Sequence, residues 1–155
     1  MRKKKNYKRE ILPDIRYENI AIARFINYLM HDGKKSTAQK VVYGALDAVA
    51  EEMKKDPLEV FTQALENASP VYEVVSKRVG GANYQVPREV RADRKFFLGC
   101  KWIIEAARGG KGKPMSQRLA AEFMAAFNND GAAVRKKQNV HKMAEANRAF
   151  AHFAR

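Results

Sequence analysis

Over residues 71–90 the apolar positions of this chain stop recurring every three to four residues and alternate instead, and on both sides the helical spacing holds. One change of period, and one change back, permits few folds. Val, Tyr and charged residues alternate in two runs, 72–79 and 84–90, around Gly80-Gly81-Ala82-Asn83, which predicts a β-hairpin with a flexible, glycine-rich tip. Pro87 removes one ladder donor, which is tolerable because each strand of a two-stranded ribbon has a free edge. Such a ribbon is marginal in water, so it must dock on the helices or on a partner. Eight residues at ~3.3 Å each would project it roughly 25 Å.

The flanking stretches read as helices. Ile22, Phe25, Ile26, Leu29 and Met30 form one apolar stripe from Asn19 onward, with Gly33 expected in the C′ position that stops it. Ser36-Thr37-Ala38-Gln39 reads as a capping box opening a second helix, with Val42, Ala45, Leu46, Val49 and Met53 on one face. In Asp56-Pro57-Leu58-Glu59, Asp at N-cap, Pro at N1 and Glu at N3 start a third, with Phe61, Leu65 and Ala68 inward and an end before Pro70. Further helices are expected over 91–108 (Phe96, Cys100, Ile103, Ala107), 116–128 (Leu119, Phe123, Phe127) and from 132 to near 153. A basic loop, Gly109-Gly110-Lys111-Gly112-Lys113-Pro114, joins the first two, and Asn129-Asp130-Gly131 closes the second. The expected fold is mainly α: a single-domain bundle of about six helices with one protruding two-stranded hairpin between helices three and four. A basic amino-terminal arm, 1–18, precedes a helical domain, 19–155, whose hairpin arm covers about 72–90.

Charge narrows the function. The 155 residues carry a net +13, unevenly placed. Over 47–73 seven acids face two lysines, a local −5, so the remainder carries +18. The first nine residues hold six cations (Arg2, Lys3, Lys4, Lys5, Lys8 and Arg9) and no acid. Such an arm cannot fold alone and repels itself until an anion neutralises it. It lacks the apolar face of a membrane anchor, no run approaches the ~20 apolar residues of a span, and no apolar h-region follows it as in a signal peptide. One cysteine excludes an intrachain disulfide framework and fits a reducing compartment. A nucleic acid is the expected partner.

An enzyme is not expected, on residue type. His31, His141 and His152 are the only histidines, and no two share a metal-binding i, i+4 spacing. Cys100 sits alone on an apolar helix face, the setting of a buried structural thiol. Neither Gly80-Gly81 nor Gly109-Gly110 has the GK[ST] ending of a phosphate loop, and no apolar cleft is visible to raise one carboxylate of a pair. No metal or other cofactor is expected.

The cations fall on loops and ends: the arm, Lys34-Lys35, the hairpin residues Lys77, Arg78 and Arg88, and the 108–118 stretch with Arg108, Lys111, Lys113 and Arg118. Arg135-Lys136-Lys137 is a fifth candidate. A major-groove reader concentrates its contacts on one helix, whereas dispersed contacts suit folded RNA recognised by shape. Tyr7, Tyr84 and Met115 interleave with these cations and have the side chains to stack on exposed bases or to pack as ordinary core. The rival is an architectural DNA-binding protein with a basic β-ribbon. Against it, the tip lacks the apolar wedge such ribbons insert.

At this point several strings carry a resemblance. Asn27-Tyr28-Leu29-Met30-His31-Asp32-Gly33-Lys34-Lys35-Ser36-Thr37-Ala38 resembles the amino-terminal signature of the small-subunit ribosomal protein seven family, bacterial or organellar branch. Arg78-Val79-Gly80-Gly81-Ala82-Asn83-Tyr84-Gln85-Val86-Pro87 is similar to its hairpin. Lys113-Pro114-Met115-Ser116, Arg118-Leu119-Ala120 and the block from His141 to Phe150 are similar to its carboxyl-terminal motifs. The chain departs from many relatives in its lysine-rich arm, its glycine-rich 109–112 loop and a tail without a terminal aromatic. The resemblance implies a constituent of the small ribosomal subunit that binds the three-prime major domain of its ribosomal RNA and nucleates assembly of the head. It places the protein in the ribosome, cytoplasmic or organellar, beside neighbouring head and platform proteins. It also implies proximity to the messenger exit and to exit-site transfer RNA, with Gly80, Gly81, Ala82, Asn83, Tyr84 and Arg88 nearest. Some bacterial members repress translation of their own messenger.

Overall fold

The structure, a computed structural model, describes residues 10–154, so the cations over 1–9, with Tyr7, lie outside the described residues. Three helices, α1 (Ile20–Leu29), α2 (Lys35–Met53) and α3 (Pro57–Ala68), precede strands β1 (Tyr72–Val79) and β2 (Ala82–Glu89). Then come α4 (Ala92–Gly109), α5 (Met115–Phe127), α6 (Ala132–Ala146) and a 3-10 tail (Arg148–Ala154). The fold is mainly helical with the hairpin between α3 and α4, as the change of period predicts.

Local chemistry sets two of the helix starts. Asn19 caps α1, its Oδ1 accepting from the amides of Ala21 at 2.7 Å and Ile22 at 3.4 Å. Asp56 caps α3 through Leu58 N at 3.1 Å, with Pro57 in the first turn where its missing N–H costs nothing. Phe25, Phe61 and Phe123, one each from α1, α3 and α5, meet at centroid distances of 5.5–5.6 Å and are essentially buried. Truncating any of them to Ala would cost about 3–5 kcal/mol. Where α4 crosses the end of α3, a Cβ on Gly99 would stand 2.5 Å from Ser69 Oγ, so only glycine permits the approach.

Four expectations are corrected in detail. Gly33 does not stop α1. The helix ends at Met30, whose amide donates to Ile26 O at 2.9 Å, and Gly33 (φ +73) follows Asp32 (φ +51) in a turn needing two left-handed residues. That turn is tight enough to start α2 at Lys35, before the expected capping box, so Ser36 lies inside the first turn and α2 has no side-chain cap. The hairpin tip is shorter than expected: Val79 pairs with Ala82 and Arg78 with Asn83, leaving Gly80-Gly81 as a two-residue turn. Finally, the last α-helix ends at Ala146 instead of near 153, where Asn147 Nδ2 donates back to Met143 O at 2.8 Å.

The 3-10 tail explains how the ribbon is supported. At three residues per turn, positions i and i+3 eclipse, so Phe150 and Phe153 share one face. Both rings contact Tyr84, at 5.2 and 5.4 Å. Lys77 Nζ donates to Phe153 O at 2.7 Å, and at the root the Val71 amide donates to His141 Nε2 on α6 at 3.1 Å. The hairpin therefore lies along α6 and the tail rather than standing free.

Candidate nucleic-acid interface

Two of the cationic elements meet on the helical body. A cleft of about 170 Å³ is lined by Leu29, His31, Lys34, Thr37, Ala38, Val41, Arg108 and Met115, which brings the α1–α2 turn against the start of α5. The amino-terminal ends of α2 and α5 both open here. Neither has a side-chain cap, and neither has an acid in its first turn. Each is preceded or begun by lysines: Lys34 and Lys35 at α2, Lys111 and Lys113 ahead of α5. A helix start already carries about half a positive charge, so cations there are unfavourable by roughly 0.3–1 kcal/mol until an anion arrives. All four lysines are exposed, with no ion pair among the described residues.

Alternate placement of charge along α2 sharpens this field. Glu51 and Glu52 lie exposed at its far end, about 24 Å from Lys35 at 1.5 Å per residue. Asp56 and Glu59 continue the acids into α3 past the exposed Lys54 and Lys55, so this end stays net negative while the opposite end is net positive.

The chain leaving the arm passes this cationic end. Residues 10–15 line a second cleft of about 410 Å³ together with Asn27, Lys35 and Gln39. Asp14, almost fully buried, holds it there: Oδ1 accepts from Tyr43 OH at 2.7 Å and Oδ2 from the amides of Arg16 and Tyr17. Arg16 adds a two-pronged pair to Asp47 at 2.6 and 3.0 Å. Burial, then the Asp14 hydrogen bond, pushes the Tyr43 hydroxyl pKa up, keeping it a donor. Sequence reading missed this anchor, and contacts spanning about thirty residues leave no local signal for it.

The arginines of this region differ from the lysines. Arg108 Nη2 donates to Leu29 O at 3.1 Å, and Arg118 Nη1 donates to Arg108 O at 3.3 Å and to Gly110 O. Met115 is half-buried against the core rather than presented for stacking.

On the hairpin the expected cations are mostly engaged. Arg88 grips Glu73 through Nε at 2.9 Å and Nη2 at 2.6 Å, and Arg94 reaches the other oxygen at 3.3 Å. Burial alone would raise the Glu73 carboxyl, but the hydrogen bonds from Arg88 and Arg94 outweigh it and hold the pKa below the usual carboxylate range. Tyr84 is covered by the tail. Arg78, beside the turn, is exposed and unpaired among the described residues, as is Arg148, which lines a cleft of about 750 Å³ with Tyr72, Arg88 and His141 and was missed by the sequence reading. The fifth candidate stretch serves the fold: Arg135 pairs with Asp130, Lys136 with Glu105 at 2.6 Å, and Lys137 donates to Asn67 O at 2.9 Å.

Cys100 is buried and its thiol is pushed up to about 12 by that burial, far from a thiolate nucleophile. Among the described residues no three His, Cys, Asp or Glu side chains group as metal ligands, and no helix is long and apolar enough to cross a membrane.

Comparison with known proteins identifies the family. Residues 1–148 match the family model described as ribosomal protein S7p/S5e. The chain is 57% identical to small ribosomal subunit protein uS7 of Thermotoga neapolitana over 153 residues, 99% of each chain. It is 58% identical to the protein of that name from Afipia carboxidovorans (94% of each chain) and 55% identical to that of Chloroflexus aggregans (96% of this chain, 94% of the other).

Proposed function

The chain belongs to the ribosomal protein S7p/S5e family, and on that footing we propose that it is a primary binder of small-subunit ribosomal RNA that nucleates assembly of the subunit head. Members of this family are structural proteins of the small ribosomal subunit, not enzymes, and this chain is a ribosome-associated structural protein. The finer reading rests on one observation: the uncapped, acid-free starts of α2 and α5 open on one cleft that Lys34 lines, with Lys35 on the adjoining cleft along residues 10–15 and Lys111 and Lys113 exposed on the loop leading into α5.

In this reading Lys34, Lys35, Lys111 and Lys113 contact phosphates of the three-prime major domain. Arg2, Lys3, Lys4, Lys5, Lys8 and Arg9 extend that contact along the RNA. The hairpin, with Gly80 to Asn83 and Arg78 at its tip, reaches toward the messenger exit and exit-site transfer RNA. Neighbouring head and platform proteins cover other faces, in a cytoplasmic ribosome. The DNA-binding alternative loses support at the tip, where two glycines leave no wedge to unstack a base step.

Filter binding tests the proposal. A three-prime-domain RNA fragment should bind with a steep salt dependence, log affinity falling by roughly 0.7–0.9 per phosphate over ~6–10 phosphates. A slope shallower than about −2, or equal affinity for duplex DNA of the same length, overturns it.

A further inference from the structure

We propose that Arg118 is a positioning residue, one that fixes the basic loop between α4 and α5 in its anion-binding shape without touching the anion. The proposal rests on the RNA-binding reading above. Its sequence neighbourhood makes Arg118 look like a phosphate contact, yet its guanidinium is already committed. Nη1 donates to the carbonyls of Arg108 and Gly110, and Nε is buried with no partner among the described residues. A phosphate is gripped by two adjacent donors of the planar fork. One edge of this fork is closed by the buried Nε, and the other by the occupied Nη1. Only Nη2 is left.

The stem lies across the loop as well. A Cβ on Gly110 would stand 3.0 Å from Arg118 Cδ and 3.5 Å from Cγ, so the glycine admits the side chain over the backbone. The fastening continues inward, because Arg108, whose carbonyl Arg118 holds, donates to Leu29 O at the end of α1. Two arginines thus tie α5, the loop, α4 and α1 into one unit. The loop has no other fastening: residues 110–113 make no backbone–backbone hydrogen bond with the described residues. Lys111 and Lys113 stand on a stretch that would otherwise be ordered only on binding, which lowers affinity.

Two variants separate positioning from contact. Arg118→Lys keeps the charge, but a single ammonium cannot reproduce the planar fork over two carbonyls; Arg118→Gln removes both. Positioning predicts that both bind the RNA fragment about tenfold more weakly than wild type, with salt slopes within about half a unit of it. A phosphate contact predicts near wild-type binding for Arg118→Lys and a slope shallower by roughly 0.7–0.9 for Arg118→Gln, and that pattern overturns the proposal. Loop order in the free proteins decides without RNA. Backbone order parameters at 110–113 should fall toward ~0.6 in both variants, and unchanged values overturn the proposal whatever the fragment does. Failure of the wild type to bind the fragment would instead remove the RNA reading alone. Should either variant lose the fold, the unaltered protein still answers: Arg118 side-chain NMR signals should show restricted rotation before RNA is added and should not shift afterwards. A shift on RNA addition overturns the inference.

Discussion

The helical body and the hairpin carry similar cations and treat them in opposite ways. On the body, Lys34, Lys35, Lys111 and Lys113 stand exposed at two helix starts whose first turns hold no acid, with no ion pair among the described residues. On the hairpin, Arg88 is gripped by Glu73 and Lys77 donates to the Phe153 carbonyl. These four lysines of the body are unpaired among the described residues, whereas Arg88 and Lys77 brace the ribbon and Arg78 alone of the expected hairpin cations is left unpaired there. A count of cations along a sequence measures neither role. What separates them is whether the fold brings an acceptor within about 3 Å, and at Glu73 it does so across the width of the ribbon.

The largest effect should come from erasing the body's side of this contrast. Replacing Lys34, Lys35, Lys111 and Lys113 by Gln should flatten the salt slope for ribosomal RNA by about 3 and weaken binding at least a hundredfold at moderate salt. Arg88→Gln should leave the slope within about half a unit. Equal flattening in the two proteins would erase the distinction.

Next in size is the hairpin's own anchor. Glu73→Gln strips the charge that Arg88 and Arg94 share, and because both arginines are about half-exposed the expected loss is about 1–2 kcal/mol, a fall of several degrees in Tm. The RNA salt slope should not become shallower, since no phosphate contact is removed. A shallower slope would move the hairpin root into the RNA interface.

The smallest effect is a matter of pH. Burial, reinforced by the charge of Lys137, depresses the His141 pKa, so the folded protein binds fewer protons than the unfolded one just below the ordinary histidine value of about 6.5. The stability from neutral His141 is therefore complete above that value and is lost as pH falls through the depressed range. Glu73, held low by its arginines, fails only at more acid pH. Hydrogen exchange at the Val71 amide should accelerate first, within the histidine range, by less than about tenfold. In His141→Gln that step should vanish; its persistence would assign it to another group.

Much of this architecture was legible in the sequence. Period placed α1 and the hairpin, and the Asp56 cap placed α3, within a residue or two, because an apolar stripe, an alternating run and a cap act over a few positions. The same locality explains the misses. Ser36 and Gln39 have the right chemistry for a box, but the turn at Asp32-Gly33 starts the helix before they can use it. The site was legible as a set of elements and not as a set of contacts. Lys34 and Lys35 keep the exposure their position suggested, whereas Arg88 and Arg118 are occupied by Glu73 and by two carbonyls, partners that depend on how the chain folds back. The tail cluster of Tyr84, Phe150 and Phe153 was illegible for a different reason: its pattern appears only if the last residues coil at three per turn.

The two-residue turn at Gly80-Gly81 has a consequence for how this ribbon can vary. Both glycines have positive φ, +58 and +91, the backbone sense that matches the twist of the flanking strands. With no slack at the tip, every added or lost residue must be matched by one on the opposite strand. An unmatched change would turn the outer faces over and carry Tyr84 away from the tail. The arm is therefore graduated like a ruler marked every two rungs, roughly 7 Å apart, because a single added pair would turn the faces beyond it over. Its reach can be reset in whole marks, while what it presents at each mark stays on the same side.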